Sequence, residues 1–188
     1  MRRRRTARPQ RRPVFLGCEG ESERGYATLI GRLREQLRPD LHLDVKLLRP
    51  GGGDPLALVQ RACEIIARNE RNHDFRYTVR AILLDSDKLG QTPTRDENMI
   101  RIAEGERLHL IWQEPSHEAL LLRHLDGCQT LRPPSAAAAL TELLRRWPDY
   151  MKASSADRLS TRIGAQQIAA AASVETSLRE FLRTIGFL

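Results

Sequence analysis

Short apolar runs recur along the chain and are separated by longer segments of mixed polarity. Two runs, residues 14–18 and 81–84, are almost continuously apolar, which is typical of strands covered on both faces. Residues 41–47 instead alternate between apolar and polar, and residues 108–112 form a fourth run. The pattern predicts four β-strands.

The segments between these strands carry apolar residues at the spacing of an α-helix. The first helix is expected to begin at Ser22 and to end before Pro39, Asp54 is expected to cap the second, and residues 95–106 form the third. The glycines at 51–53 lack the Lys and Ser or Thr of a P-loop and favour a flexible connection. The order β-α-β-α-β-α-β predicts an α/β fold, with a four-stranded, mostly parallel sheet between helices.

Beyond residue 132 the pattern is purely helical. It carries two apolar stripes, Leu140, Leu143, Leu144 and Trp147, followed by Val174, Leu178, Phe181, Leu182 and Ile185. We therefore expect a disordered Arg-rich tail over residues 1–12, an α/β domain over 13–131 and a C-terminal helical region over 132–188. The stripes cover either the edge of the sheet or a second subunit, as in a homo-oligomer, and the sequence leaves both possibilities open.

Acidic residues follow the first and third predicted strands. Glu19 and Glu23 come after the first strand, and Asp85 and Asp87 come after the third. Because the carboxyl ends of parallel strands meet at one edge of a sheet, these side chains can converge there. Carboxylates packed together repel one another unless some are protonated or a cation binds, and such oxygen ligands suit Mg²⁺ or Mn²⁺. The alternative is structural, since similar residues occur in surface turns and at helix starts.

A third acidic cluster, Glu114 and Glu118, follows the fourth strand. The leucines of residues 116–125 predict a partly buried helix there. Glu118 can join the site or simply interact with the helix dipole. The neighbouring His117 and the later His124 are interpreted as structural, as single histidines usually are.

The formal charge of +7 comes entirely from seven arginines that precede Pro13. A tail of this composition cannot form a core by itself and attracts phosphate backbones without reading their sequence. The alternatives are a solubilising terminus and a misassigned start site. The predicted nucleic-acid-binding residues of the tail are Arg2, Arg3, Arg4, Arg5, Arg8, Arg11 and Arg12.

The chain has neither an apolar stretch long enough to span a membrane nor the apolar segment of a signal peptide, so we expect a soluble, cytoplasmic protein without membrane partners. Its three cysteines, Cys18, Cys63 and Cys128, fit neither a disulfide framework nor a zinc site. We interpret them as reduced thiols without a catalytic role.

Three ordered motifs resemble those of a known family. They are Cys-Glu-Gly-x-x-Glu at residues 18–23, Asp-Ser-Asp at 85–87 and Pro-x-x-Glu at 115–118, the last leading into a Leu-rich helix. Together they resemble the Toprim domains, most closely the RloB-like branch associated with bacterial defence loci. The resemblance covers roughly residues 13–126. Where the family usually has bulky aromatic residues around its glutamate, this chain has His117 and Ala119.

The resemblance implies a Toprim/Rossmann-like sheet in which the first and third strands are neighbours. It implies a Mg²⁺- or Mn²⁺-dependent endonuclease that cleaves DNA or RNA in an anti-phage or abortive-infection system, with a partner ATPase as a possible regulator. The metal ligands would be Glu19, Glu23, Asp85 and Asp87. These four and Glu118 would be the catalytic residues, and Lys88 would contact a phosphate.

Two other classes of protein compete with a nuclease. A non-catalytic Toprim-fold subunit would act as a scaffold, through its C-terminal helices and basic tail, together with a partner ATPase. A nucleotide-binding Rossmann protein is disfavoured because residues 17–20 lack the Gly-x-Gly-x-x-Gly motif. A topoisomerase would need a tyrosine on a separate DNA-gate domain, for which the chain has no room.

Overall fold

A computed structural model describes residues 11–48 and 53–188 of the protein. The elements of the α/β part are β1 (Arg12–Cys18), α1 (Glu21–Leu37), β2 (Leu41–Leu47), α2 (Pro55–His73), β3 (Val79–Asp85), α3 (Pro93–Gly105), β4 (Leu108–Gln113) and α4 (His117–His124). The C-terminal elements are α5 (Ala136–Arg146), α6 (Ala156–Leu159), α7 (Ala165–Val174) and α8 (Thr176–Thr184). No helix within the described ranges is long and apolar enough to cross a membrane.

The four strands form one parallel sheet in the order β2-β1-β3-β4. This confirms the predicted α/β fold, and it confirms that the first and third strands are neighbours. Because all strands run in the same direction, β1 and β3 end at the same edge. The segments that follow Cys18 and Asp85 are therefore brought together although they are distant in sequence.

Alternate residues of the strands face two separate apolar layers. Val14 and Leu16 pack in a cluster with α1, α4 and the C-terminal helices, whereas Phe15 and Ile82 pack with α2 and α3. The almost continuous apolar runs of β1 and β3 are thus explained by helices on both faces. The apolar stripes of α5 and α8 lie in the first cluster, where α5 packs on α4 and α8 packs on the edge strand β4. Helix α8 thus covers an edge of the sheet, which was one of the two possibilities that the sequence left open.

Three local details differ from the sequence pattern. Strand β1 begins at Arg12, two residues before the apolar run, because its backbone pairs with Leu41 of β2. All eight residues of α4 are buried, although the pattern predicted a partly buried helix. They are buried because α4 lies between the sheet and the C-terminal helices. Leu144 of the predicted stripe is instead exposed.

Two buried arginines tie the C-terminal helices to the α/β part. The Arg34 side chain is 1% exposed and donates hydrogen bonds to the carbonyl oxygens of Ile185 and Arg38, each at 2.7 Å. Arg123 of α4 pairs with Glu175, with 2.5 Å between Nε and Oε1. Buried charges of this kind are tolerated only when their donors and acceptors are satisfied, so both contacts fix the packing of the last helices.

The buried carboxylate of Glu70 in α2 holds the connection between α2 and β3. Its side chain is 2% exposed and accepts hydrogen bonds from the Tyr77 backbone N–H at 3.0 Å, from Arg76 at 2.7 Å and from Arg80 at 3.0 Å. Burial raises the pKa of Glu70, but these three donors outweigh it and lower the pKa below the ordinary value. Hydrogen bonds to a charged group contribute roughly 1.5–3 kcal/mol each when they are buried.

We expect Glu70→Gln to lower the free energy of unfolding by about 2 kcal/mol at pH 7. A carboxyl group whose pKa is depressed in the folded state stabilises the protein above its unfolded pKa of about 4.3, and this contribution disappears as the pH falls through the folded pKa. Urea unfolding of both proteins at pH 7 and pH 3 should therefore show a difference that shrinks in acid. Glu64→Gln, at an exposed position on the same helix, is the control and should change stability by less than about 0.5 kcal/mol. An equal loss at both pH values would contradict the assignment.

Candidate metal centre at the carboxyl edge of the sheet

The ends of β1 and β3 place four of the predicted acids at one edge of the sheet. Glu19 directly follows β1, and Glu23 lies in the first turn of α1, where its Oε2 accepts a hydrogen bond from the Gly20 N–H at 3.0 Å. Asp85 is the last residue of β3, and Asp87 follows it. The chain turns from strand to helix within two residues after Cys18, so both glutamates stay close to the strand end.

Asp85 shows how close these acids are. Burial raises the pKa of Asp85, and the charges of Glu23, Glu19, Asp87 and Glu118 raise it further, to about 8. Its Oδ1 is buried and has no hydrogen-bond partner. All five predicted acids therefore share one electrostatic environment, and the central one bears an oxygen that nothing in the described chain satisfies.

Glu19 lies at the outer side of this cluster. Burial raises the pKa of Glu19, Glu23 and Asp87 raise it further, and Lys88 opposes them. Gly53 lies against both residues, since a Cβ atom at this position would lie 2.2 Å from Lys88 Nζ and 3.0 Å from Glu19 Oε1. Gly53 also has a φ of +64°, which favours glycine. The end of the glycine turn, interpreted from the sequence as a flexible connection, thus forms part of the wall of the site.

The acidic side chains interact electrostatically, but their oxygens are not arranged around a common point as metal ligands are. Within residues 11–48 and 53–188, no group of three or more His, Cys, Asp or Glu side chains is arranged to hold a metal ion. One oxygen of Glu23 is engaged by Gly20, and Glu118 accepts a hydrogen bond from Ser116 Oγ at 3.1 Å. Side-chain rotations would be needed to bring three oxygens around one point.

A buried polar pair lines the inner side of the cluster. Gln113, the last residue of β4, lies beside Asp85 in the sheet, and its Nε2 is 2.7 Å from His117 Nδ1. His117 is 2% exposed; burial lowers its pKa, while the charges of Glu23 and Glu118 act in the opposite direction. Gln113 Oε1 and His117 Nε2 are buried without hydrogen-bond partners. His117 therefore faces the acids, which the interpretation of it as a structural residue did not anticipate.

The C-terminal region also reaches the site. Lys152 Nζ lies 3.7 Å from Glu118 Oε1. The buried Tyr150 has its pKa raised by burial and by the charges of Glu118 and Glu23. Neither residue was among the sequence candidates, and the only available signal was that Lys152 is one of three lysines in an arginine-rich chain.

The predicted basic tail falls largely outside the described residues, which exclude Arg2, Arg3, Arg4, Arg5 and Arg8. Arg11 and Arg12 form ion pairs with Glu35 and Asp40 at the start of β1, which is the edge opposite the acidic site. These two arginines are therefore bound to the domain itself. The three cysteines are free thiols; burial raises the pKa of Cys18, so that it is a packing residue beside the site.

Comparison with known proteins yields no relative: no family model, no curated protein and no solved structure matches the chain. Strands β1 and β3 are neighbours, as the resemblance implied, but membership of the Toprim or RloB-like families stays a prediction.

Proposed function

We propose that the protein is a divalent-metal-dependent nuclease of the Toprim type, related to the RloB-like branch, that hydrolyses phosphodiester bonds of DNA or RNA. The supporting observation is the convergence of four carboxylates on the buried Asp85, whose pKa is raised to about 8 by burial and by these four charges. Clustered acids with strongly shifted pKa values are typical of functional sites. Because the motifs resemble those of the RloB-like branch, we also propose that the protein acts in cytoplasmic anti-phage or abortive-infection defence.

The residues present suit a divalent cation in their chemistry. Four carboxylates, Glu19, Glu23, Asp85 and Asp87, would hold the ion, with Glu118 behind them. The unpartnered Oδ1 of Asp85 is a buried acceptor that a cation would satisfy. Bound there, Mg²⁺ or Mn²⁺ would neutralise the scissile phosphate and orient a water molecule.

The chain's own residues would position the substrate and move the proton. Lys88 lies on the Gly53 side of the cluster and would contact a phosphate oxygen. Burial and the charges of Glu23 and Asp87 raise the pKa of Glu19, which suits it better than an ordinary carboxylate to accept a proton from water. Gly53 has no side chain, which lets Lys88 and Glu19 lie directly against its backbone.

The test is cleavage of single-stranded DNA, duplex DNA, RNA and tRNA by the full chain in Mg²⁺ or Mn²⁺. We expect metal-dependent cleavage of at least one substrate and its loss in Asp85→Asn/Asp87→Asn. The matched control is Glu97→Gln/Glu104→Gln, which removes two charges from exposed positions of α3 and should leave cleavage unchanged. Equal cleavage by the wild type and the Asp85/Asp87 variant would refute the assignment of the site.

One observation favours the alternative of a non-catalytic subunit that acts with a partner ATPase, namely the lack of a ready ligand cage in the described residues. Calorimetric titration with Mn²⁺ separates the two functions. A nuclease should bind Mn²⁺ with an affinity that the Asp85/Asp87 variant loses, whereas a scaffold should give the same titration in both proteins. In either case the predicted tail residues Arg2, Arg3, Arg4, Arg5 and Arg8 would attract nucleic acid through its phosphates.

A further inference from the structure

The segment from Tyr150 to Ser155, between α5 and α6, is held tightly against the first turns of α1. Its Ala153 N–H donates a hydrogen bond to Ser22 Oγ at 2.9 Å. The carbonyl oxygen of Ser154 approaches Gly25 so closely that a Cβ atom at that position would lie 2.0 Å away. Only glycine permits this approach of two backbones, so the segment has a fixed position beside the acidic cluster.

This segment directs two polar groups toward the acids. Lys152 Nζ lies 3.7 Å from Glu118 Oε1, and the Lys152 side chain is 67% exposed. Tyr150 is 4% exposed, and its hydroxyl group, which lies near Ser22, has no partner in hydrogen-bonding geometry. A buried hydroxyl group without a partner is costly, so the Tyr150 hydroxyl group is available to donate a hydrogen bond to a bound anion.

The choice of lysine at this place is unusual for this chain, which has 28 arginines and 3 lysines. Two of the three lysines, Lys88 and Lys152, lie at the acidic cluster, and the third, Lys46, pairs with Asp44 at 2.9 Å. An ammonium group is a compact charge that contacts a single phosphate oxygen, whereas the broader guanidinium fork also engages neighbouring carboxylates in pairs. Lysines on two sides of an acidic cluster suit a phosphate that enters between them.

We propose that Lys152, with the Tyr150 hydroxyl group behind it, contacts a backbone phosphate of the nucleic-acid substrate, so that the C-terminal region completes the site. This inference rests on the proposed function for the identity of the substrate. It adds a substrate-binding role for residues that lie outside the three sequence motifs. The ion pair with Glu118 would hold the lysine at the rim until a phosphate takes the place of the carboxylate.

The experiment measures binding of a fluorescein-labelled single-stranded oligonucleotide to the full chain by anisotropy, with Ca²⁺ in place of Mg²⁺, over a range of salt concentrations. Loss of one phosphate contact reduces the slope of log K against log salt by about 0.7 for a single strand. We expect this reduction, and about 3- to 10-fold weaker binding, for Lys152→Gln. Lys152→Arg keeps the positive charge and should therefore have the slope of the wild type. Tyr150→Phe should weaken binding about threefold at an unchanged slope, because the hydroxyl group is neutral.

Lys46→Gln is the matched control, since it removes the same charge from a side chain that is 39% exposed and already paired. It should keep the slope of the wild type. The melting temperature of Lys152→Gln should also match that of the wild type. A lower melting temperature would instead indicate that the ion pair has a structural role. A wild-type slope for Lys152→Gln, equal effects of Lys46→Gln and Lys152→Gln, or no measurable binding would each overturn the inference.

The outcomes separate this inference from the proposed function. If the Asp85/Asp87 variant loses cleavage while Lys152→Gln binds like the wild type, the nuclease stands and the role of Lys152 falls. If the slope changes as expected while no cleavage occurs, the phosphate contact stands in a nucleic-acid-binding protein and the hydrolytic function falls.

Discussion

Asp85→Asn is expected to reduce cleavage by about 10³-fold or more and, in the absence of metal, to make the folded protein more stable. The loss of activity follows from removing the central carboxylate of a site in which a metal supplies several kcal/mol of transition-state stabilisation. The gain in stability follows from the raised pKa of about 8. Between the unfolded pKa near 4 and this value, the folded state binds a proton that the unfolded state has lost, so rising pH destabilises the wild type.

We expect the free energy of unfolding of Asp85→Asn to exceed that of the wild type by about 1–3 kcal/mol at pH 8, and the difference to vanish near pH 4. Chemical unfolding in EDTA at both pH values measures this. Adding Mn²⁺ should raise the melting temperature of the wild type and not that of the variant, because only the wild type would bind the ion. Asp126→Asn, at an exposed position, is the control and should match the wild type throughout. A variant less stable than the wild type at pH 8 would show that the pKa of Asp85 is not raised in the folded protein.

Arg34→Met is expected to lower the free energy of unfolding by about 2–3 kcal/mol. The guanidinium group is buried between α1 and the end of α8, where it donates to two carbonyl oxygens and pairs with Asp40 at 3.0 Å. Methionine fills a similar volume but donates nothing, so the carbonyl oxygens of Ile185 and Arg38 would lose their partner. The C-terminal helices should then separate from α1 more readily.

Urea unfolding at pH 7 measures the change, and hydrogen exchange locates it. The amides of α8 should lose protection more than those of α2, which packs on the opposite face of the sheet. Arg38→Met is the matched control, four residues later on an exposed side chain, and should change stability by less than about 0.5 kcal/mol. Equal effects at both positions would mean that the buried contacts of Arg34 contribute nothing.

The fold was predictable from the sequence because its strongest signals are local. The continuous apolar runs of β1 and β3 and the alternation in β2 arise from the number of faces that each strand buries, and the positions of Pro39 and Asp54 mark helix boundaries. The burial of all of α4 was not predictable, because it depends on helices that are adjacent only in space. The start of β1 at Arg12 likewise depends on pairing with a distant strand, and an arginine gives no apolar signal.

The residues of the site were likewise predictable only where their signal is local in the sequence. Glu19 and Asp85 were identifiable because each follows an apolar strand, and parallel strands end at one edge. Gln113 and Tyr150 were not identifiable, since an amide or a phenol carries no signal until its unpartnered atom is seen beside the acids. Lys152 is separated from Asp87 by many residues and is brought there by the contacts of Ala153 with Ser22 and of Ser154 with Gly25.

The anchoring of Arg34 to Ile185 has a consequence for biosynthesis. Arg34 gains its partner Ile185 only after 151 further residues have been added, and the apolar layer beneath α1 is covered by helices that are made after the whole α/β part. The α/β part must therefore carry an uncovered apolar surface while those helices are being made, which exposes it to aggregation and to chaperones. Chains that stop before α8 should yield insoluble products.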